Sequence, residues 1–196
     1  MAPDGRWVPG APPPNERVPY RLPQVIEAVR AGQPVIVAEG EKDAEALASL
    51  GLVATTNSNG VGKWLAHYSA WLRGARVFIL ADNDEPGVAH AGAVADALIG
   101  VAREVKQILL PGLVWKGDVS DWLAAGGDRK SLAIVCKNAP PHRRGVRLKP
   151  SDVPLVGAGT LEPAPPGQLP ALPKPERGEV TEPPPSRPVL DPAAYQ

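Results

Sequence analysis

Two apolar rhythms take turns along the middle of the chain. Leu22, Val25, Ile26 and Val29 share one face of a helical wheel, and Gly32 can end that helix. Residues 34–38 then form a short unbroken apolar run, suited to a strand buried on both faces. After Glu39-Gly40, an alanine- and leucine-rich stretch reads as a helix closed by Gly51. Residues 53–56 make a second short strand that runs into the turn-forming NSNGVG. A third helix is expected over about 63–72, with Trp64 and Trp71 one heptad apart. The most strand-like run is 76–81, ending at Asp82-Asn83-Asp84, and Pro86 sits in the favoured first turn of the helix that follows. That helix runs to about Gly100. Residues 105–110 give a fourth strand and 118–125 a short helix. Such alternation predicts an α/β fold, a parallel sheet of about four strands with helices on both faces.

Composition limits how far this domain extends. Of the 25 prolines, seven lie in the first 23 residues, 15 lie after residue 139, and only Pro34, Pro86 and Pro111 fall between. Segments so rich in proline cannot form ladders or helices, and they bury too little apolar surface to offset their ordering entropy. The reading is a flexible leader over 1–19, a folded domain over 20–137, and a Pro-rich, largely disordered tail over 138–196. Twenty-one basic and 21 acidic residues leave no net charge, so any attraction for nucleic acid must be local. The single cysteine, Cys136, excludes an intrachain disulfide and a cysteine-rich zinc site. His67, His90 and His142 lack metal-ligand spacing. With no long apolar run and no signal-peptide pattern, a soluble, cytoplasmic protein without a membrane partner is expected.

The chemistry is carried by acids. In an open parallel sheet, ligands bind beyond the carboxyl ends of the strands. Glu39 follows the first strand, Asp82 and Asp84 follow the strongest one, and Asp118 and Asp121 follow the fourth across a short loop. These acids should meet on one edge. Asp82 and Asp84 are two apart, so in extended backbone they point the same way. Asp43 lies in the first turn of a helix, where a carboxylate suits the helix dipole. Gathered carboxylates repel, and a divalent cation relieves the repulsion; oxygen-only ligands favour Mg²⁺ or Mn²⁺ over Zn²⁺. Such ions act on phosphoryl groups. Helix capping and solvation account equally well for Asp121, Glu41, Glu45 and Glu85.

VIVAEGEKDAEAL resembles the first motif of the TOPRIM family, a hydrophobic strand ending in Glu-Gly. VFILADNDEPGVAHA resembles its second, a strand ending in Asp-x-Asp followed by Gly and a helix, and KGDVSDWL is similar to the later acidic element of its primases. The resemblance spans about Pro34 to Ala125, and the flanking segments look most like those of phage- and plasmid-type primases or primase-helicases. It implies a Rossmann-like TOPRIM sheet, with Glu39 as general acid/base or metal ligand and Asp82 and Asp84 as metal ligands. Asp43 and Asp118 fall where primases place further metal-supporting carboxylates. The implied reaction is nucleotidyl transfer, with RNA primers made from ribonucleotides on a single-stranded DNA template. A Cys-rich zinc module, a basic domain ahead of the motifs and a helicase behind them are not visible. The resemblance therefore also implies a partner domain, another primase subunit or a replicative helicase.

Other features carry less. NGVGKW fails the Walker spacing, because Asn57 and Trp64 stand where Gly and Ser or Thr are required. The loop Asn57, Asn59, Gly60 and Gly62 can either present N–H groups to a phosphate beside Lys63 or act as a plain turn. Lys42 and Lys116 adjoin the acidic edge and are candidate phosphate contacts. Arg143, Arg144, Arg147 and Lys149 form a candidate nucleic-acid or partner arm. Trp64, Trp71 and Trp122 read as packing residues. Two alternatives to a primase remain open, a metal-dependent TOPRIM nuclease and a non-catalytic interaction module in replication or recombination.

Overall fold

Strands β1 (Val35–Val37), β2 (Ala54–Thr55), β3 (Arg76–Ala81) and β4 (Glu104–Leu109) form one sheet in the order β2-β1-β3-β4. Every pairing is parallel, with Ile36 opposite both Ala54 and Phe78, and Val77 opposite Val105. The computed structural model describes residues 12–58 and 60–152. Expectations for 1–11, for Asn59 and for 153–196 lie outside the described residues.

The helices are α1 (Leu22–Arg30), α2 (Glu41–Ser49), α3 (Glu85–Leu98), α4 (Val119–Ala124) and α5 (Arg129–Asn138). Side chains alternate across each strand, so the unbroken apolar runs feed two cores. Val35, Val37, Val77, Ile79 and Val105 pack with α1 and α3 on one face. Ile36, Leu80 and Ile108 pack with α2, α4 and α5 on the other. Helices therefore cover both faces, as the alternation predicts. Among the described residues, no helix is long and apolar enough to cross a membrane.

Strand β4 buries two polar side chains whose nitrogens are paired, while Gln107 Oε1 is buried without a partner. Lys106 Nζ donates to the carbonyls of Cys136 and Lys137 at 3.0 and 3.1 Å, closing the C-terminal end of α5. Gln107 Nε2 donates to Val88 O at 2.9 Å. Left unpaired, either nitrogen would carry a desolvation cost of about 1–3 kcal/mol, more for the charged ammonium.

Three segments differ from the sequence reading. The third helix is a 3-10 helix confined to Ala66–Leu72. Trp64 stands edge-on to Tyr68 and donates its indole N–H to Ser69 Oγ, which ties back the residues just ahead of the helix. Leu65 is extended, so the helix can begin only after it. The second difference is α5 (Arg129–Asn138), a helix that the strand-and-helix alternation does not predict. Its start is an Asp128/Ser131 capping box, each side chain bonded to the other's backbone N–H. Lastly, residues 139–152, read as the start of the tail, are bound to the domain. His142 N–H donates to Val105 O at 2.7 Å along the outer edge of β4, and Leu148 packs on the α3 core.

Candidate active site at the carboxyl edge of the sheet

Strands β1 and β3 are neighbours and both end at this edge, which brings Glu39 and Asp82 side by side. Both are partly buried, and Glu39 Oε2 and Asp82 Oδ1 are buried atoms with no hydrogen-bond donor. Burial and then the charge of Glu39 push the Asp82 carboxyl up to about 7. Burial, then Asp84 and Asp43, also raise Glu39, although the neighbouring Asp82 carboxyl pulls the other way. The two directions agree. Near neutral pH Asp82 is therefore in the middle of its titration, where an isolated carboxylate would be fully ionised.

The floor under this pair is Gly87, in the first turn of α3. A Cβ there would sit 2.8 Å from Glu39 Oε2 and 2.9 Å from Asp82 Cβ. Only glycine lets the helix approach so closely, which gives the Gly of the Asp-x-Asp-x-x-Gly run a steric reason. Asp84 caps the same helix, its Oδ1 accepting from Gly87 N–H at 2.7 Å.

Asp43 and Asp118 lie further round the edge. Asp43 is buried, and its Oδ1 accepts from Ser120 Oγ at 2.8 Å and from Ser120 N–H at 3.2 Å. Burial raises its pKa, partly offset by those bonds. Asp118 caps α4 through Asp121 N–H and pairs with Lys42 Nζ at 3.0 Å. Burial works to raise Asp118, but these partners outweigh it and hold it below the usual carboxylate range.

The five acids thus share one edge, with different employment. Glu39 and Asp82 are unsatisfied, whereas Asp84, Asp43 and Asp118 each have one oxygen committed to a backbone N–H. Among the described residues, no three Asp, Glu, His or Cys side chains converge as a ready metal cage. The residues nevertheless fit a divalent cation in one respect, the pair of buried, donorless carboxylate oxygens on Glu39 and Asp82.

The weaker candidates are placed as follows. Lys42 is engaged with Asp118. Lys63 and Lys116 are exposed, and Lys116 adopts a positive φ of 63°. Gly60 and Gly62 both have φ of 73°, but Gly62 N–H is spent on His90 Nδ1 at 3.0 Å. Arg143 and Arg144 are exposed, and Arg147 pairs with Asp96 at 2.9 Å.

Three residues escaped the sequence reading. His90 accepts from Gly62 N–H, so its Nε2–H donates to Asn57 Oδ1 at 3.0 Å, and burial keeps the ring neutral by lowering its pKa. It ties the glycine loop to α3, and its place one helical turn beyond Gly87 is the signal that could have exposed it. Asn83, a mere spacer in sequence, donates through Nδ2 to the carbonyls of Leu113 and Val114 at 3.0 and 2.9 Å. Trp115, in the loop so held, is 59% exposed.

No family model matches this sequence, and no curated protein matches it. Among solved structures the chain is similar to the Aquifex aeolicus primase (zinc-binding and RNA polymerase domains), at 17% identity and a TM-score of 0.49 over 60% of this chain and 28% of that one. It is similar to the E. coli primase catalytic core at 21% identity and a TM-score of 0.44, over 55% of this chain and 34% of that one. A DnaG primase catalytic domain bound to ssDNA is 20% identical with a TM-score of 0.44, over 55% of this chain and 35% of that one. The chain spans about a third of the length of these structures, and at such identities the likeness is one of fold.

Proposed function

We propose that the carboxyl edge of the sheet is a divalent-cation site for nucleotidyl transfer, and that the chain acts as a primase-type catalytic domain extending RNA primers on single-stranded DNA. One observation carries this reading. Two carboxylates from adjacent strands stand together with buried, donorless oxygens, where a cation would satisfy them. The kind of element, of the phage or plasmid type, and the need for a helicase or second subunit rest on the motif resemblance.

Glu39 and Asp82 would hold the cation, with Asp84 beside them, and the ion would neutralise phosphate charge and polarise the phosphorus under attack. The chain's own residues supply positioning. Gly87 lets α3 abut the pair, and Asp84 fixes the helix start. Before the ion binds, protonation of Asp82 would limit its repulsion with Glu39. The motif resemblance gives Glu39 the general acid/base role, and its place beside Asp82 would let it take a proton from an attacking hydroxyl. Asp43, Asp118 and Lys42 hold α2 against α4 and set the field around the site.

The test is primer synthesis by the full chain on single-stranded DNA with ribonucleotides and Mg²⁺ or Mn²⁺, beside a Mn²⁺-induced thermal shift. Templated oligonucleotides and a thermal shift, both lost in Asp82→Ala, are the expected results. DNA cleavage without nucleotides, lost in the same variant, would make the protein a nuclease instead. Absence of any cation-induced shift in the wild type would remove the metal site.

A further inference from the structure

Beside the carboxylates runs a groove of about 580 Å³ that the chemistry above does not use. One wall is the first turns of α3, with Val88 and Ala89; the other is the docked segment, with Arg147, Leu148 and Lys149; Trp115 stands at the rim. Glu85 is the acid along it, and Glu85 directly follows Asp84, so the groove opens at the carboxylate edge.

Trp115 is not exposed through slackness of its loop. Asn83 binds the loop four times: its Nδ2 donates to Leu113 and Val114, its N–H donates to Gly117 O, and its carbonyl accepts from Lys116 N–H, the last two at 2.9 Å. Leu113 anchors the same loop in the core. The left-handed backbone at Lys116 completes the turn. A rigid support therefore holds an indole 59% exposed, beside Val114 at 71%. Leaving that much ring in water is unfavourable, so it points to a ligand with a flat apolar face.

We infer that this groove binds single-stranded DNA, with a base stacked on Trp115 and the backbone phosphates running toward Lys149 and Arg147. Unpaired bases offer a π-face to any exposed ring, and groove cations track the phosphates. In a duplex those faces are buried in the stack. Arg147 is held in place for the task. Its Nη1 makes both its bond to Asp96 and its bond to Val146 O, while the side chain remains 54% exposed. Lys149 is exposed and Lys116 adjoins the indole. Trp115 is a binding residue here; no role in the reacting atoms is assigned to it. The choice of nucleic acid as occupant rests on the reading of the neighbouring carboxylates as a site of phosphodiester chemistry.

The experiment is fluorescence anisotropy of a labelled oligothymidylate titrated with the full chain in EDTA, without nucleotides. Trp115→Ala should weaken binding by about fivefold or more, and Trp115→Phe should keep most of it. Lys149→Ala should reduce the salt dependence by about one released counterion. Asp82→Asn should bind the oligonucleotide as the wild type does, which separates this groove from the metal site. Unchanged binding by Trp115→Ala, with circular dichroism showing a folded protein, overturns the proposal and leaves the metal reading standing. Equal binding of duplex, or of oligouridylate, overturns the assignment to single-stranded DNA. Absence of binding by the wild type overturns it too. Trp115-dependent binding without any cation-induced shift would keep the groove and remove the metal site.

Discussion

At the scale of single residues, the Glu39–Asp82 pair sets how the protein responds to pH. Asp82 titrates near 7 in the fold against an ordinary 3.8, so the folded chain holds a proton that the unfolded chain releases. Its contribution to stability is complete below about 4 and is lost as pH rises through about 7. In EDTA, thermal midpoints should therefore fall across that window, beyond what other groups impose, and Asp82→Asn should flatten the fall. The variant should gain about 1–3 kcal/mol at pH 8. A wild-type midpoint with no Asp82-dependent decline would contradict the raised Asp82 carboxyl. Mn²⁺ competes with that proton, so its stabilising shift should be larger at pH 8 than at pH 6. Gly87 provides a second test in which two effects oppose. Alanine in a helix is ordinarily better than glycine by up to about 1 kcal/mol. Here its methyl would press on Glu39 Oε2 and the Asp82 backbone at 2.8 and 3.0 Å, and backbone cannot yield as a flexible side chain can. Gly87→Ala should lose about 1–3 kcal/mol in urea melts and the Mn²⁺ shift with it.

At the scale of elements, capping decides α5. Asp128→Ala removes half of a capping box and should cost about 1 kcal/mol in urea unfolding. Gly127→Ala should cost more, because its new Cβ would overlap the buried ring of Trp122. If the two variants lose the same amount, the Trp122 ring has room to move aside. This helix also shows what the sequence could and could not tell. Asp128 with Ser131, ahead of Leu132, Val135 and Cys136, is a legible helix start that a search for strand-and-helix alternation passes over. Strands β1 and β3 were legible as apolar runs buried on both faces, whereas β4 was legible despite the Lys106 and Gln107 buried within it. The 3-10 helix at 66–72 was not, since its winding follows from the Trp64 contacts with Tyr68 and Ser69, a tertiary matter. The acids were legible as a group from their places after the strands. Which of them stay unsatisfied was not. Asp84 and Asp118 are caps as well as candidate ligands, and only coordinates show Glu39 Oε2 and Asp82 Oδ1 without donors. Asn83 and Trp115 lay hidden for the same reason, because one Nδ2 reaching two carbonyls thirty residues away leaves no local pattern.

At the scale of the whole molecule, the outer edge of β4 is what the segment 139–152 covers. An open strand edge invites pairing with another chain, and here His142 N–H takes up the Val105 carbonyl instead. The segment is held mainly through Asp96, whose two oxygens accept from His142 Nε2 at 2.8 Å and Arg147 Nη1 at 2.9 Å. Those bonds, His142 first, hold the Asp96 carboxyl below its usual range. The same clamp sets the Arg147–Lys149 wall of the groove, whereas the carboxylates stand on β1, β3 and α3, which it does not build. His142→Ala should therefore release the segment without opening the domain. Trypsin should cut at Arg143 and Arg144 faster, with the urea midpoint of the rest nearly unchanged, since local opening follows local contacts. Oligonucleotide binding should weaken with the loss of the wall, while the Mn²⁺ shift stays as in the wild type. If His142→Ala instead abolished the Mn²⁺ shift and left the oligonucleotide bound, the division of labour between the clamped groove and the carboxylate edge would be the wrong way round.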